Sequence, residues 1–227
     1  MSPPRQVWDR VYEVGGPTIT GEGDASIWLV ALDDMLVMID CGTGMTWDEV
    51  KFNIGEIGLD DRPIRYLVLT HGHIDHIGAA SRIKKETGCA IIAHEGDQDA
   101  IEGLNTEKTA ASWYGIDYEP VPVDKVLTGT TTEAMAIGSL EFKFIHTPGH
   151  TPGSISVLVE VAEKKVLFGQ DIHGPFDPSF GSNLDEWRRS MKRLIELDAD
   201  ILCEGHFGVF KPAEGVRRYI EGCLDGQ

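Results

Sequence analysis

Residues Tyr66 to Gly78 read Y-L-V-L-T-H-G-H-I-D-H-I-G. The first five, Tyr66 to Thr70, form an apolar, β-prone run that reads as a buried strand. Its C-terminal end leads straight into His71, His73, Asp75 and His76, three imidazoles and one carboxylate within six residues. Imidazole nitrogens and carboxylate oxygens are the natural ligands of zinc and similar ions. A turn leaving a strand end can aim His71 and His73 at one point. Asp75 and His76 open a helix expected to continue to about Thr87, and can aim at a second point nearby. The competing reading is a polar surface loop that happens to be rich in histidine. Against it, five of the eight histidines of the chain fall into one set with segments further along.

Working outward, Ser26 to Ala31 and Met35 to Asp40 are short apolar runs separated by Leu32-Asp33-Asp34, which predicts a hairpin. A helix is expected from Thr46, as N-cap with Glu49 three residues on, to about Ile57. Ala90 to Ala93 reads as a strand. The stretch from Glu95 to Asp124 is hardest to read, with one helix expected near Gly96 to Gly103. A loop with Trp113, Tyr114 and Tyr118 follows, aromatics that either wall a substrate pocket or pack, with packing preferred. Strands return at Ala134 to Ile137, Leu140 to His146, Ser154 to Glu160 and Lys165 to Phe168. A helix fits Leu184 to Leu197, a strand Asp200 to Cys203 and a last helix Ala213 to Leu224. Hairpins in both halves with helices between them predict a mixed α/β fold of two packed sheets with helices outside.

The whole chain, 227 residues, suits one domain, 1–227, with a sizeable core. Its net charge is −17, from 37 acidic and 20 basic residues, a field that repels phosphate backbones and argues against nucleic acid as partner. Four cysteines, Cys41, Cys89, Cys203 and Cys223, form no CxxC pair, so no disulfide framework and a cytoplasmic setting are expected. The N-terminal residues lack an apolar signal core, and no stretch approaches the roughly 18 apolar residues of a membrane span.

The THGHIDH stretch resembles the HxHxDH signature of the metallo-β-lactamase superfamily, and the remaining family segments follow in order. Val37 to Gly44 (VMIDCGTG) resembles an early strand end whose aspartate, Asp40, supports the metal loop from behind. Thr147 to Ser154 (TPGHTPGS) resembles the segment carrying His150, and Phe168 to Asp171 (FGQD) the segment carrying Asp171. Cys203 to His206 (CEGH) resembles the last ligand segment, which more often reads PGH. The resemblance implies an αβ/βα four-layer sandwich and a binuclear site. His71, His73 and His150 would hold one ion, Asp75, His76 and His206 the other, and Asp171 would bridge them. Two divalent metal ions are implied, zinc first, with iron or manganese as the other candidates. Asp75 would also orient the attacking water.

Asp171 argues against true β-lactamases, and His73 against the flavodiiron pattern. The acidic charge argues against the nucleases. What remains resembles the glyoxalase II-like group. The expected activity is hydrolysis of a small ester-like molecule, as a thioesterase or lactonase, by a monomer or homodimer. Segments matching the glutathione contacts of glyoxalase II are not found after the helix that follows His206. The alternative within the fold is a mononuclear iron persulfide dioxygenase or another redox protein. His173, two residues after Asp171, is a candidate proton donor to a leaving group. His94 and His146 are candidates for supporting a ligand or for simple packing, and Cys203 is expected to pack.

Overall fold

The computed structural model describes residues 1–226, which divide into two compact units, Met1–Leu127 and the described residues from Thr128 on. In the first unit, seven strands lie in chain order: β1 (Arg5–Trp8), β2 (Val11–Gly15), β3 (Ile27–Ala31), β4 (Leu36–Ile39), β5 (Ile64–Val68), β6 (Ala90–His94) and β7 (Lys125–Leu127). The first four pair antiparallel, β1–β2 and β3–β4 through short turns and β2–β3 through residues 16–26; from β4 to β7 every pairing is parallel. Parallel neighbours need long crossovers. These carry α1 (Trp47–Glu56), α2 (Ile74–Ile77), α3 (Ala80–Thr87), α4 (Glu95–Ile101) and α5 (Ala111–Tyr114). Strands β3 and β4 are buried at every residue, so they read as continuous apolar runs and not as alternation. Ile27, Leu29, Met38, Leu67 and Ile91 pack there with Trp47, Val50, Ile77 and Ile83.

The second unit holds β8 (Thr132–Ile137), β9 (Leu140–His146), β10 (Ile155–Val161), β11 (Lys164–Gln170), β12 (Ile201–Glu204) and β13 (Val209–Phe210), in the order β13-β12-β11-β10-β9-β8. Strands β8 to β11 form an antiparallel meander, and β12 joins β11 in parallel. The crossover is α6 (Leu184–Glu196), and α7 (Ala213–Asp225) follows β13. Asn183 starts α6 by accepting from the amides of Asp185 and Glu186, at 3.0 and 3.1 Å. The apolar face of α6 places Trp187, Met191 and Leu194 in a core with Leu167, Leu202, Val216 and Ile220.

Four local expectations change. The hairpin β1–β2 was not anticipated; Arg5 on β1 pairs with the buried Glu13 on β2 at 2.6 Å, charges that masked the strands in sequence. The helix expected to run on to Thr87 breaks after Ile77. The Ala25 and Cys41 amides take the carbonyls of Asp75 and His76, which a continuous helix would give to Ala79 and Ala80. Thr46 precedes α1 but does not cap it, because its hydroxyl donates to Asp24. Trp113 and Tyr114, expected to pack, are 63% and 43% exposed, while Tyr118 is tied down by a 2.7 Å bond from its hydroxyl to the Ile101 carbonyl. All four cysteines are free, and no helix among the described residues is long and apolar enough to cross a membrane.

Candidate metal centre

In the first unit the chain leaves β5 and is caught at once by Asp40, at the end of β4. Asp40 has φ +58, a left-handed backbone uncommon for a residue with a side chain. Its Oδ1 accepts from the Thr70 amide at 2.8 Å, and its Oδ2 from the Thr70 hydroxyl at 2.7 Å. Oδ2 also lies 2.7 Å from Nδ1 of His76. A carboxylate on Nδ1 leaves Nε2 of His76 as the ring's other nitrogen, the arrangement of a metal-ligating histidine. His71 Nε2 and His73 Nδ1 stand 3.1 Å apart. Two nitrogens on one tetrahedral zinc would lie about 3.3 Å apart, given bonds of about 2.0–2.1 Å. Asp75 Oδ2 and His76 Nε2 form a second pair at 3.8 Å. All four donor residues are buried.

Asp97, on α4, was missed in the sequence. It is buried, and its Oδ2 accepts from the Gly72 amide at 2.9 Å, between the two histidines of the first pair. Nothing in spacing marks it, since the contact spans 25 residues. Asp24 was missed too. Its Oδ1 accepts from the Thr43 amide and hydroxyl at 2.8 and 2.7 Å, and its Oδ2 from the hydroxyls of Thr20 and Thr46. The Thr43 backbone packs so closely on Gly78 that any Cβ there would overlap it. Cys41 donates its thiol to the His76 carbonyl at 3.1 Å; burial, and next Asp40 beside it, push that thiol well above its ordinary range, so it stays neutral.

In the second unit His150 sits in a loop pinned at both sides. Its Nδ1 is 2.7 Å from the Pro175 carbonyl, and its own carbonyl accepts from the Ser182 hydroxyl at 2.6 Å. Gly149, at φ +142, lies where a Cβ would overlap Trp187 of α6. Asp171 follows Gln170, whose φ of +54 repeats at the end of β11 the left-handed turn of Asp40. The two carboxylate oxygens of Asp171 face different imidazoles: Oδ2 is 3.6 Å from His150 Nε2, and Oδ1 is 3.3 Å from His206 Nε2. A Cβ at Gly205 would fall on Oδ1, so only glycine lets the His206 loop approach so closely.

His173 was picked out by its place in the sequence; its partner Glu204 was not. Glu204 is fully buried, with Oε1 2.7 Å from His173 Nδ1. Its Oε2 accepts from the amides of His206 and Phe207, at 2.7 and 2.8 Å. The rings of His173 and His206 meet edge to face at 5.5 Å. His94 caps α4, its Nδ1 accepting from the Gly96 amide at 3.1 Å. His146 Nε2 is 2.9 Å from the Pro152 carbonyl, which closes the TPGH loop on itself. Cys203 is buried in β12, as expected.

The chemistry of these donors fits divalent ions. Each unit presents imidazole and carboxylate donors in close pairs, several with the far ring nitrogen already bonded to an oxygen. The comparisons with known proteins agree. A model of the metallo-β-lactamase superfamily matches residues 20–206. A metallo-β-lactamase fold-containing protein of Sulfurisphaera tokodaii is 28% identical over 207 residues, covering 83% of this chain and 74% of that one. The hydroxyacylglutathione hydrolase GloC of Haemophilus influenzae is 33% identical over 113 residues, covering 49% of this chain and 51% of that enzyme. Among solved structures, the subclass B3 metallo-β-lactamase BJP-1 of Bradyrhizobium japonicum superposes with TM-score 0.82 at 22% identity, covering 99% of this chain and 92% of that one. A motif mutant of a Cronobacter sakazakii metallo-β-lactamase gives 0.81 at 22% identity, covering 100% and 95%. The fold is therefore the metallo-β-lactamase fold, an α/β sandwich. The chain belongs to the metallo-β-lactamase superfamily, a family of metal-dependent hydrolases.

Proposed function

We propose that this protein is a binuclear hydrolase of small ester-like substrates, thioesters or lactones, working with two zinc ions. The two units are taken as halves of one domain, since the family match runs unbroken from residue 20 to residue 206. His71, His73, His150 and Asp171 would hold one ion, and Asp75, His76, Asp171 and His206 the other. The observation that carries this reading is Asp171, whose oxygens turn to two different histidines as a bridging carboxylate must. When bound, two such ions supply a nucleophile from water at neutral pH and a Lewis acid for the oxygen that gains charge. Asp75, beside His76, orients the attacking water. Asp40 and Asp97 keep the donor loop in place before substrate arrives, so little reorganisation is left for the reaction itself. His173 stands beside His206 to hand a proton to the leaving group.

The preference for compact acyl substrates rests on the same carboxylate. With both ions bound it would add negative charge between them, which would disfavour a second anionic group there. The net charge of −17 points the same way. The similarity to hydroxyacylglutathione hydrolase supports a thioester, over about half of each chain. Steady-state rates on thioester, lactone, phosphodiester and β-lactam panels test the proposal. Turnover of thioesters or lactones with little on β-lactams is expected; efficient β-lactam turnover with none on the acyl panel would overturn the substrate class.

A further inference from the structure

Phe207 follows the last candidate donor, His206, and is 62% exposed. A single apolar side chain at the surface is ordinary; this one differs in how it is held. Strands β12 and β13 pair through Cys203 and Val209, which leaves residues 204–208 as the turn between them. Gly208 takes φ +86, and its carbonyl accepts from the Glu204 amide at 2.9 Å. The buried Glu204 carboxylate accepts from the amides of His206 and Phe207, at 2.7 and 2.8 Å. One buried residue thus holds the tip of the turn by three bonds. The Phe207 ring stands nearly perpendicular to His173, at 4.7 Å and 89°, and His173 meets His206 edge to face at 5.5 Å. Two ring contacts therefore link a candidate donor to an exposed aromatic.

We propose that Phe207 is a specificity-determining residue, its ring forming the wall against which an uncharged aryl or alkyl leaving group packs. This rests on the acyl-hydrolase reading above, which puts the leaving atom at His173. The ring that touches His173 then meets the leaving group before the acyl group. Covering exposed apolar carbon is favourable by itself. Because the turn is already ordered, a bound leaving group spends little of that gain on ordering it. The ring offers no hydrogen-bond donor, and the side chain that holds its backbone is a carboxylate, so an anionic leaving group is a poor fit.

Phe207→Ala truncates an exposed ring and leaves the backbone bonds to Glu204 in place, so zinc content is expected to hold. Three thioesters separate the two sides of the reacting bond: S-methyl thioacetate, S-benzyl thioacetate and the S-methyl thioester of phenylacetic acid. Intrinsic reactivity cancels when each ratio of kcat/KM is compared between wild type and variant. In Phe207→Ala the benzyl-over-methyl ratio should fall about tenfold, mostly through KM, and the phenylacetyl-over-acetyl ratio by less than about twofold. Phe207→Leu, which keeps an apolar wall, should recover part of the first. Contact is read without turnover using 4-phenylbutan-2-one, in which a methylene replaces the sulfur of S-benzyl thioacetate. In zinc-loaded, deuterated protein carrying protonated phenylalanine, nuclear Overhauser effects should join the phenyl protons of the ketone to a phenylalanine ring and vanish in Phe207→Leu. A benzyl ratio that holds, an equal fall on the acyl side, or a ketone without contact to Phe207 would overturn the proposal. Absence of rate on every thioester, with that contact present, would remove the acyl-hydrolase reading and leave the apolar wall standing.

Discussion

At the scale of single residues, carboxylates organise the chemistry. Asp171→Ala removes a carboxylate whose two oxygens face His150 and His206. Metal content should fall from two ions toward one or none, and turnover at least about a hundredfold, as elemental analysis and steady-state rates would show. Replacing His94 or His146 should do much less, because one caps a helix and the other closes a loop. Asp24 tests stability instead. Asp24→Ala strands a buried amide and three threonine hydroxyls, and should cost about 2–4 kcal/mol in urea denaturation. Asp24→Asn should cost less than half of that, because hydroxyls can turn and accept from a carboxamide. The candidate donors at positions 71, 73, 75, 76, 150, 171 and 206 stand out in the sequence because ligand chemistry clusters in short segments after apolar runs. Asp24, Asp97 and Glu204 do not, because each acts on backbone or ring atoms reached only through the fold. An isolated acidic residue in sequence reads the same whether it faces water or three buried donors.

Among elements, helix ends and strand ends do the positioning. A left-handed residue follows β4 at Asp40 and ends β11 at Gln170, so that a carboxylate turns back toward the candidate donors. Helix α6 presses on Gly149 through Trp187, next to His150. Gly149→Ala should push that loop off the helix, lowering both zinc affinity and melting temperature, whereas the same change at Gly215, with open space around it, should leave metal binding intact. Asn183→Ala, which removes the cap of the same helix, should cost about 1 kcal/mol and leave zinc affinity nearly unchanged. The long buried strands and α6 and α7 were readable from apolar runs and helical spacing. The break after Ile77 was not, because it depends on amides from residues 25 and 41 competing for two helix carbonyls. Strand β13 was too short, at two residues, to leave a pattern.

For the molecule as a whole, the proposed centre draws donors from residues as far apart in sequence as His71 and His206, so metal should be a large part of its stability. Two zinc ions per chain are expected by elemental analysis, and stripping them with a chelator should lower the melting temperature by several degrees, restored by adding zinc back. A stoichiometry that stays near one after supplementation would sink the binuclear reading. The sheets also bear on how copies of the protein meet. Of their four outer strands, β1, β7 and β13 span four, three and two residues, too short to template another chain. Strand β8 is six residues long, with Thr132, Ala134 and Ala136 exposed and Glu133 its one charge. The net charge of −17 keeps copies apart in dilute salt, but that repulsion fades as ions screen it. Crowded, salty solutions therefore leave one open margin for strand-to-strand adhesion, Thr132–Ile137, and a lysine in place of Ala134 would blunt it.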